Sequence, residues 1–197
     1  FKKLISAHEF LNGKDRYCLW LENKEDEIAE IPLIKDIVDK VENIRLNSSR
    51  PKLAEIPHLF AQITQPPNKD FIFIPRHSSE RREYIPIGYF SSDYKAHDSA
   101  LIVATAETWI FGVISSKMHM AWVKYTCGRI KSDYRYSNEM VYNNYPWPKE
   151  PSDKNKKAVE TKAQKILDVR AEFPKSSLAD LYDPLTMPPK LVKAHQE

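Results

Sequence analysis

The sequence predicts an α+β fold, with short strands in a mixed or antiparallel arrangement, packed helices and a helical C-terminal segment. Three observations lead to this expectation. Apolar residues recur at helical spacing near both ends of the chain, short β-type runs alternate with turn residues between them, and the composition becomes polar and charged after Pro148. We therefore expect a first domain over residues 1–148 and a helical segment over residues 149–197.

The first half of the chain contains one predicted helix and several predicted strands. Residues 17–21 predict a buried strand after an Asn-Gly turn, and residues 25–46 predict a helix with Pro32 near its start. Further strands are expected over Leu59–Ile63, Phe71–Ile74, Tyr84–Phe90 and Ala100–Thr105. Because proline cannot donate to a strand ladder, Pro75 and Pro86 predict that the adjoining strands lie at edges or bulges.

The second half is predicted to be mainly helical. One long helix is expected near residues 108–127, capped by Thr105 or Thr108. Its inward face should comprise Ile110, Phe111, Ile114, Met118, Ala121, Trp122 and Tyr125. An amphipathic helix should cover residues 154–173, a short helix capped by Ser176 or Ser177 should follow over residues 178–182, and another helix should begin at Leu191.

Composition argues against several kinds of site. The chain has four glycines, none clustered, whereas a nucleotide or S-adenosylmethionine site usually needs a glycine-rich turn, so we expect no such cofactor here. Its two cysteines lie far apart and its six histidines show no ligand spacing, so we expect no metal. Reduced thiols and the absence of an apolar span favour a cytoplasmic protein without a membrane partner.

The segment from residue 127 to residue 148 is the most informative part of the chain. Cationic residues alternate there with aromatic rings, and residues 117–136 include five cations and only one anion. Cations suit phosphates, and rings suit sugars or bases, so the segment favours nucleic-acid recognition. A solvated, tyrosine-rich loop is the alternative from composition alone.

Lys131 and Asp133 form the sharpest pattern within this segment. In an extended segment, residues two apart point the same way, so the pair could address one base pair. Lys131 would donate to O6 and N7 of guanine, and Asp133 would accept from N4 of the paired cytosine. Arg135 would continue the same face toward a neighbouring base or a phosphate. The alternative is a surface ion pair of little consequence.

Other cations are candidates for contacts to the DNA backbone. Arg76, Arg81 and Arg82 lie in one charged loop between two predicted strands and could make bidentate phosphate contacts. Lys124 and Arg129 flank the start of the aromatic segment and are assigned the same role. The loop could instead be an exposed turn whose charges neutralise one another.

Two stretches also match the Asp…Glu-x-Lys pattern of metal-dependent nucleases. They are Asp15 with Glu22 and Lys24, and Asp153 with Glu160 and Lys162. The second match lies in a lysine-rich predicted helix, where this spacing arises by chance. We interpret both as coincidences and assign no catalytic residue.

The sequence as a whole resembles MmeI-like (type IIL, a branch of type IIG) restriction–modification enzymes, in their target-recognition domain and C-terminal helices. The resemblance extends along the entire chain. It is carried by residues 16–21, 74–88, 118–122, 127–137, 141–148 and 177–189. His77 departs from the small or apolar residue that relatives often carry.

The resemblance implies a longer parent protein with an upstream adenine-N6 DNA methyltransferase domain, and often an N-terminal nuclease. Such a parent binds duplex DNA and uses S-adenosylmethionine, with Mg²⁺ where a nuclease is present. The methyltransferase motif Asn-Pro-Pro-Tyr is absent from this chain, so this part is expected to be non-catalytic. By resemblance, Lys131 and Asp133 read the outer base pair as guanine, and Arg135 reads another base. We expect the remaining base contacts to come from loops such as residues 97–99, which the motifs of the resemblance do not assign.

Two other functions remain open from the sequence. The aromatic-basic loop could dock an acidic protein partner, and a salt-dependent, sequence-selective affinity for DNA would distinguish the two. A free-standing nuclease using Asp153, Glu160 and Lys162 would show cleavage that depends on Mg²⁺.

Overall fold

The structure, a computed structural model, describes all 197 residues and confirms the α+β class. The strands are β1 (Lys2–Ile5), β2 (Tyr17–Cys18), β3 (Phe71–Pro75), β4 (His77–Ser78), β5 (Gly88–Phe90), β6 (Tyr94–Ala96), β7 (Ala100–Val103), β8 (Gly128–Ile130) and β9 (Asp133–Arg135). The α-helices are α1 (Ala7–Asn12), α2 (Glu25–Glu30), α3 (Pro32–Leu46), α4 (Thr108–Ile114), α5 (Lys117–Thr126), α6 (Asp153–Ala171), α7 (Leu178–Leu181) and α8 (Pro189–Gln196). No helix combines the length and the apolar character needed to cross a membrane.

The chain forms two compact units. One unit comprises Phe1–Lys2 and Tyr17–Gln65, and the other comprises Lys3–Arg16 and Pro66–Glu197. The second unit contains every residue that the sequence assigned to DNA contacts.

The smaller unit differs from the prediction in three ways. The strand after the Asn-Gly turn spans only Tyr17–Cys18, and Tyr17 is 57% exposed rather than buried. The single expected helix is two helices, because Pro32, which has no N–H for the preceding turn, starts α3. No strand forms over residues 59–63, where the guanidinium of Arg45 donates to the carbonyl of Leu59 at 2.7 Å.

Strand β3 is the centre of the second unit. It pairs antiparallel with β5 on one side and β7 on the other, so Pro75 ends a central strand and the predicted edge position was wrong. Phe71 and Phe73 enter one apolar cluster, whereas Ile72 and Ile74 enter a larger one on the opposite face. Burial on both faces explains the uninterrupted apolar run.

Two strands of the second unit are shorter than the sequence predicts. The strand expected over residues 84–90 is reduced to β5, Gly88–Phe90, and the strand expected to reach Thr105 ends at Val103. Strand β1 pairs in parallel with β6, which gives the mixed arrangement that the sequence predicted.

The long helix expected near residues 108–127 is two helices. It breaks at Ser115 and Ser116, where the hydroxyl of Ser116 accepts a hydrogen bond from the His119 amide and caps α5. The N-cap of α4 is Glu107 rather than either predicted threonine. Since the break shifts the helical register, Met118 and Tyr125 are 67% and 92% exposed, and Ala121 is exposed too, so these three residues do not face inward as expected. The buried positions are Phe111, Ile114, His119, Met120 and Val123.

The C-terminal helices agree with their predicted periodicity. Helix α6 buries Ala163 and Ile166, and Ser177 caps α7 in a capping box with Asp180. Helix α8 begins at Pro189, close to the predicted start.

A polar network joins these helices to the rest of the second unit. Arg170 of α6 donates to the carbonyl of Ile87 at 2.6 Å and to the hydroxyl of Tyr182 at 2.8 Å. Tyr182 in turn contacts Nε2 of His195 at 2.7 Å, and Nδ1 of His195 lies 2.7 Å from the carbonyl of Ser115. Because a carbonyl only accepts, Nδ1 carries the proton and Nε2 accepts from Tyr182.

Replacing Arg170 with methionine should lower the free energy of unfolding by about 2–3 kcal/mol, since it leaves the carbonyl of Ile87 and the buried hydroxyl of Tyr182 without their charged donor. Urea unfolding at pH 7 measures the change. The control is Lys190→Met, which removes a cation from the exposed ion pair with Glu172 and should cost less than about 1 kcal/mol. Equal losses in both variants would contradict the network's role.

Candidate nucleic-acid interface

One small sheet brings the two charged segments of the sequence together. Strand β9 lies between β4 and β8, in the order β4-β9-β8. His77 of β4 pairs with Arg135 of β9, and Gly128 of β8 pairs with the same residue from the other side. Arg76 directly precedes β4, and Arg81 and Arg82 lie in the loop after it, so β4 separates residues that the sequence placed in one loop. All three are neighbours of the hairpin that carries Lys131, Asp133 and Arg135.

Charged and aromatic side chains alternate between the exposed and the buried face along residues 133–136. Asp133 and Arg135 are exposed, whereas Tyr134 and Tyr136 are buried, as the alternation of a strand with one wet face requires. Tyr145 is also buried, and Tyr142 and Trp147 are half-buried. The expectation that rings along this segment face sugars or bases was therefore wrong for these buried tyrosines, which hold the charged face in place.

Lys131 does not lie in an extended run with Asp133. It occupies the two-residue turn between β8 and β9, and its φ of 54° lies in the left-handed region. Lys131 and Asp133 therefore do not share a strand face, contrary to the prediction from the sequence, whereas Asp133 and Arg135 do. Both Lys131 and Asp133 remain exposed, at the tip and the base of one turn.

Asp133 is anchored across the sheet. Its Oδ1 accepts a hydrogen bond from the backbone amide of Glu80 at 3.2 Å. This bond leaves the second carboxylate oxygen available to another donor. Sequence reasoning missed Glu80, because its contribution is a main-chain amide 53 residues away and carries no signal in the residue types.

The remaining cations differ in accessibility. Arg81 is exposed, and Arg76 and Arg82 are half-buried. Burial lowers the pKa of Arg82, while the carboxylates of Asp183 and Asp133 act in the opposite direction. The side-chain Nε of Arg76 is buried without a hydrogen-bond partner. Lys124 is exposed in the last turn of α5.

The backbone around Arg76 connects the loop at residues 97–99 to this sheet. The amide of Arg76 donates to the carbonyl of Ser99 at 2.9 Å, and its carbonyl accepts from the amide of Tyr136 at 2.7 Å. The loop at residues 97–99 therefore lies beside the charged sheet, where its side chains could add contacts to a nucleic acid bound there.

Helix α5 supports the hairpin from the protein interior. Nε2 of His119 lies 2.8 Å from the hydroxyl of Tyr136, and the indole N–H of Trp122 donates to the carbonyl of Val141 at 3.0 Å. Burial lowers the pKa of His119 to about 4 and raises that of Tyr136. Both groups are therefore neutral at physiological pH, and they act as packing groups rather than as acid–base catalysts.

The nuclease-like patterns do not assemble a metal site. No group of three or more histidine, cysteine or acidic residues is placed to hold an ion. In the α6 pattern, Glu160 faces Lys157 at 3.9 Å, and Lys162 bonds to Glu197 at 2.9 Å. In the other pattern, Asp15 pairs with Lys3.

Comparison with known proteins accounts for the whole chain. Residues 1–149 match the family described as "MmeI, target recognition domain", and residues 151–197 match "MmeI, C-terminal domain". This chain belongs to the MmeI family. The two matched ranges meet next to Pro148, after which the composition of the sequence changes.

Two relatives resemble the chain closely. It is 40% identical over 201 residues to DNA methyltransferase A of Bacillus subtilis (strain 168), covering 100% of this chain and 22% of that protein. A solved structure of the type IIL restriction–modification enzyme MmeI in complex with DNA matches 98% of this chain at 41% identity and a TM-score of 0.94. The match covers 26% of that enzyme, so the chain spans about a quarter of the length of these MmeI-family relatives.

Proposed function

We propose that this chain selects the DNA sequence on which a longer methyltransferase of a restriction–modification system acts. The observation that carries the proposal is the β4-β9-β8 sheet, which places two charged segments side by side and directs their aromatic residues inward. A rigid surface with exposed cations and one anchored carboxylate has the groups needed to contact phosphates and base edges. Membership of the MmeI family supports the same function.

In this proposal the hairpin enters the major groove and reads one G·C pair at the outer end of the site. The ammonium group of Lys131 donates to O6 and N7 of guanine. The oxygen of Asp133 that is not bonded to Glu80 accepts from the N4 amine of cytosine. Arg135, exposed on the same strand face as Asp133, reads a neighbouring base.

The surrounding cations contact the DNA backbone. Arg76 lies directly before β4, Arg81 and Arg82 lie in the loop after it, and Lys124 lies at the end of the helix that leads into the hairpin. Their guanidinium and ammonium groups would hold phosphates on both sides of the reading hairpin.

The methyl transfer itself belongs to another part of the proposed parent. By family resemblance the parent methylates N6 of adenine with S-adenosylmethionine as the methyl donor, and uses Mg²⁺ if it also carries a nuclease. We expect no S-adenosylmethionine site within this chain, and the close packing at two of its four glycines supports that expectation. A Cβ at Gly88 would lie 2.7 Å from Phe10, and one at Gly112 would lie 2.7 Å from Val159. The target adenine would be flipped into the upstream methyltransferase domain.

The affinity of the full-length protein for duplex DNA tests this function. We expect tighter binding to duplexes that carry the site than to shuffled duplexes, with an affinity that falls steeply as salt increases. A protein that prefers acidic polypeptides and shows no preference among duplexes would instead be an interaction module.

Replacing Arg81 with alanine should weaken binding alike on all duplexes, by roughly 1 kcal/mol or a little more, and should reduce the salt slope by about one unit. The reason is that an exposed guanidinium on the loop contacts phosphates rather than bases. Fluorescence anisotropy at several salt concentrations measures both quantities. A loss confined to one sequence would contradict a phosphate contact.

A further inference from the structure

The guanidinium of Arg129 is engaged within the protein on several sides. Its Nη1 donates to the carbonyl of Ser132 at 2.8 Å, and its Nη2 donates to the carbonyl of Lys124 at 3.4 Å. Its central carbon lies 4.1 Å from the centre of the Tyr134 ring, directly across the strand pair. The carboxylate of Glu80 lies 4.0 Å from Nη1.

These contacts connect three segments of the chain. Lys124 belongs to the last turn of α5, whose terminal carbonyls have no partner within the helix and lie at the negative end of its dipole. Ser132 belongs to the turn, and Glu80 belongs to the loop after β4. One planar cation therefore ties the turn to a rigid helix and to the neighbouring loop.

The turn that Arg129 contacts is the one that carries Lys131. A lysine with positive φ is in a region that residues with a Cβ rarely occupy, so the turn needs support from its surroundings. The carbonyl of the next residue, Ser132, is the group that Arg129 holds. The same cation faces Glu80, whose amide anchors Asp133.

We propose that Arg129 is a positioning residue for the outer base pair, rather than the phosphate contact that its charge suggests. It fixes the Lys131–Ser132 turn and, through the loop at Glu80, the carboxylate of Asp133. This inference rests on the proposed function of the hairpin. It predicts that the geometry of the guanidinium matters, and not only its charge.

The test compares Arg129→Lys and Arg129→Gln in the full-length protein. The probes are a duplex with the site found by methylation mapping, the same duplex with the outer pair inverted, one with an inner pair changed, and an unrelated duplex. Wild-type protein should favour the site over the outer-pair variant by roughly 5- to 150-fold. In both variants we expect this ratio to fall below about threefold, while the ratio at the inner pair is retained.

Charge and folding are controlled within the same experiment. Lysine keeps the charge, so the affinity of Arg129→Lys for the unrelated duplex and its salt slope should match the wild type. A phosphate contact would give the opposite result: intact discrimination in Arg129→Lys, and a uniform loss in Arg129→Gln with the slope reduced by about 0.9. Arg81→Ala supplies the reference for that pattern. Thermal melting checks that the wild type and both Arg129 variants are equally folded at the assay temperature, because partial unfolding would lower the affinities for all duplexes together.

The two proposals fail in different ways. Wild-type protein without any preference among the duplexes would overturn the proposed function and this inference with it. Wild-type preference that survives in both Arg129 variants would overturn this inference alone.

Discussion

Exchanging donor and acceptor at the hairpin should change the outer base of the recognition site from G to C. The expected variant is Lys131→Glu with Asp133→Arg in the full-length protein. A carboxylate at the turn would accept from cytosine, and a guanidinium at the start of β9 would donate to guanine on the opposite strand. We expect the preference at this position to invert, from roughly tenfold or more for G to a similar factor for C.

The structure indicates that the hairpin tolerates this exchange. Both side chains are exposed, and the Glu80 amide that loses its acceptor at Asp133 lies in an exposed loop where water can replace it. The exchange replaces neither the buried tyrosines nor Arg129 and the residues that its guanidinium contacts.

Methylation mapping of cells that express the variant measures the outcome. The control exchanges the exposed Lys157 with the half-buried Glu160 on α6, which also preserves net charge and should leave the site unchanged. An active double variant that keeps G at the outer position would refute the assignment of Lys131 and Asp133.

Acid should destabilise the fold strongly between pH 7 and pH 5. Burial lowers the pKa of His195 to about 3 and that of His119 to about 4, from an unfolded value near 6.5. A histidine with a depressed folded pKa stabilises the fold above 6.5, and this contribution is lost as the pH falls toward the folded pKa. Each residue should therefore cost about 2 kcal/mol over this interval, or roughly 4 kcal/mol together.

The hydrogen bonds of His195 explain why protonation is unfavourable. Its Nδ1–H already donates to Ser115, and its Nε2 accepts from Tyr182, which accepts from Arg170. A proton on Nε2 would face the hydroxyl of Tyr182 as a second donor and would add a positive charge near Arg170.

Urea unfolding at pH 7 and pH 5 measures this loss. His195→Gln should reduce the difference between the two pH values by about half, although its stability at pH 7 is lower. His8→Gln changes an exposed histidine and should leave the difference intact. A wild-type stability that is the same at both pH values would contradict the account.

The elements that the sequence predicted well have strong local periodicity. Helix α6 and the cap of α7 depend on residues within a few positions of one another. The helix forms as expected, and Ser177, one of the two serines predicted as the cap, is the N-cap of α7. The alternation from Asp133 to Tyr136 is also local. It is the pattern of a half-buried strand, so the inward direction of both tyrosines could have been predicted.

The features that the sequence did not reveal depend on long-range contacts. Nothing near Lys131 marks a turn, because the hairpin uses lysine where glycine or asparagine is common. The strand at residues 59–63 fails to form in a region where a distant arginine, Arg45, takes the backbone carbonyls. The approach of β4 to β9 joins residues more than fifty positions apart, and this approach creates the candidate site.

Mapping of N6-methyladenine in the host genome, with and without the gene for the full-length protein, tests whether this chain selects the site of a DNA methyltransferase. We expect one methylated motif to disappear with the gene and this motif to end in G. A lost motif with another outer base would contradict the reading by Lys131 and Asp133. An expressed gene whose removal leaves every methylated motif in place would contradict DNA recognition for a methyltransferase as the function of this chain.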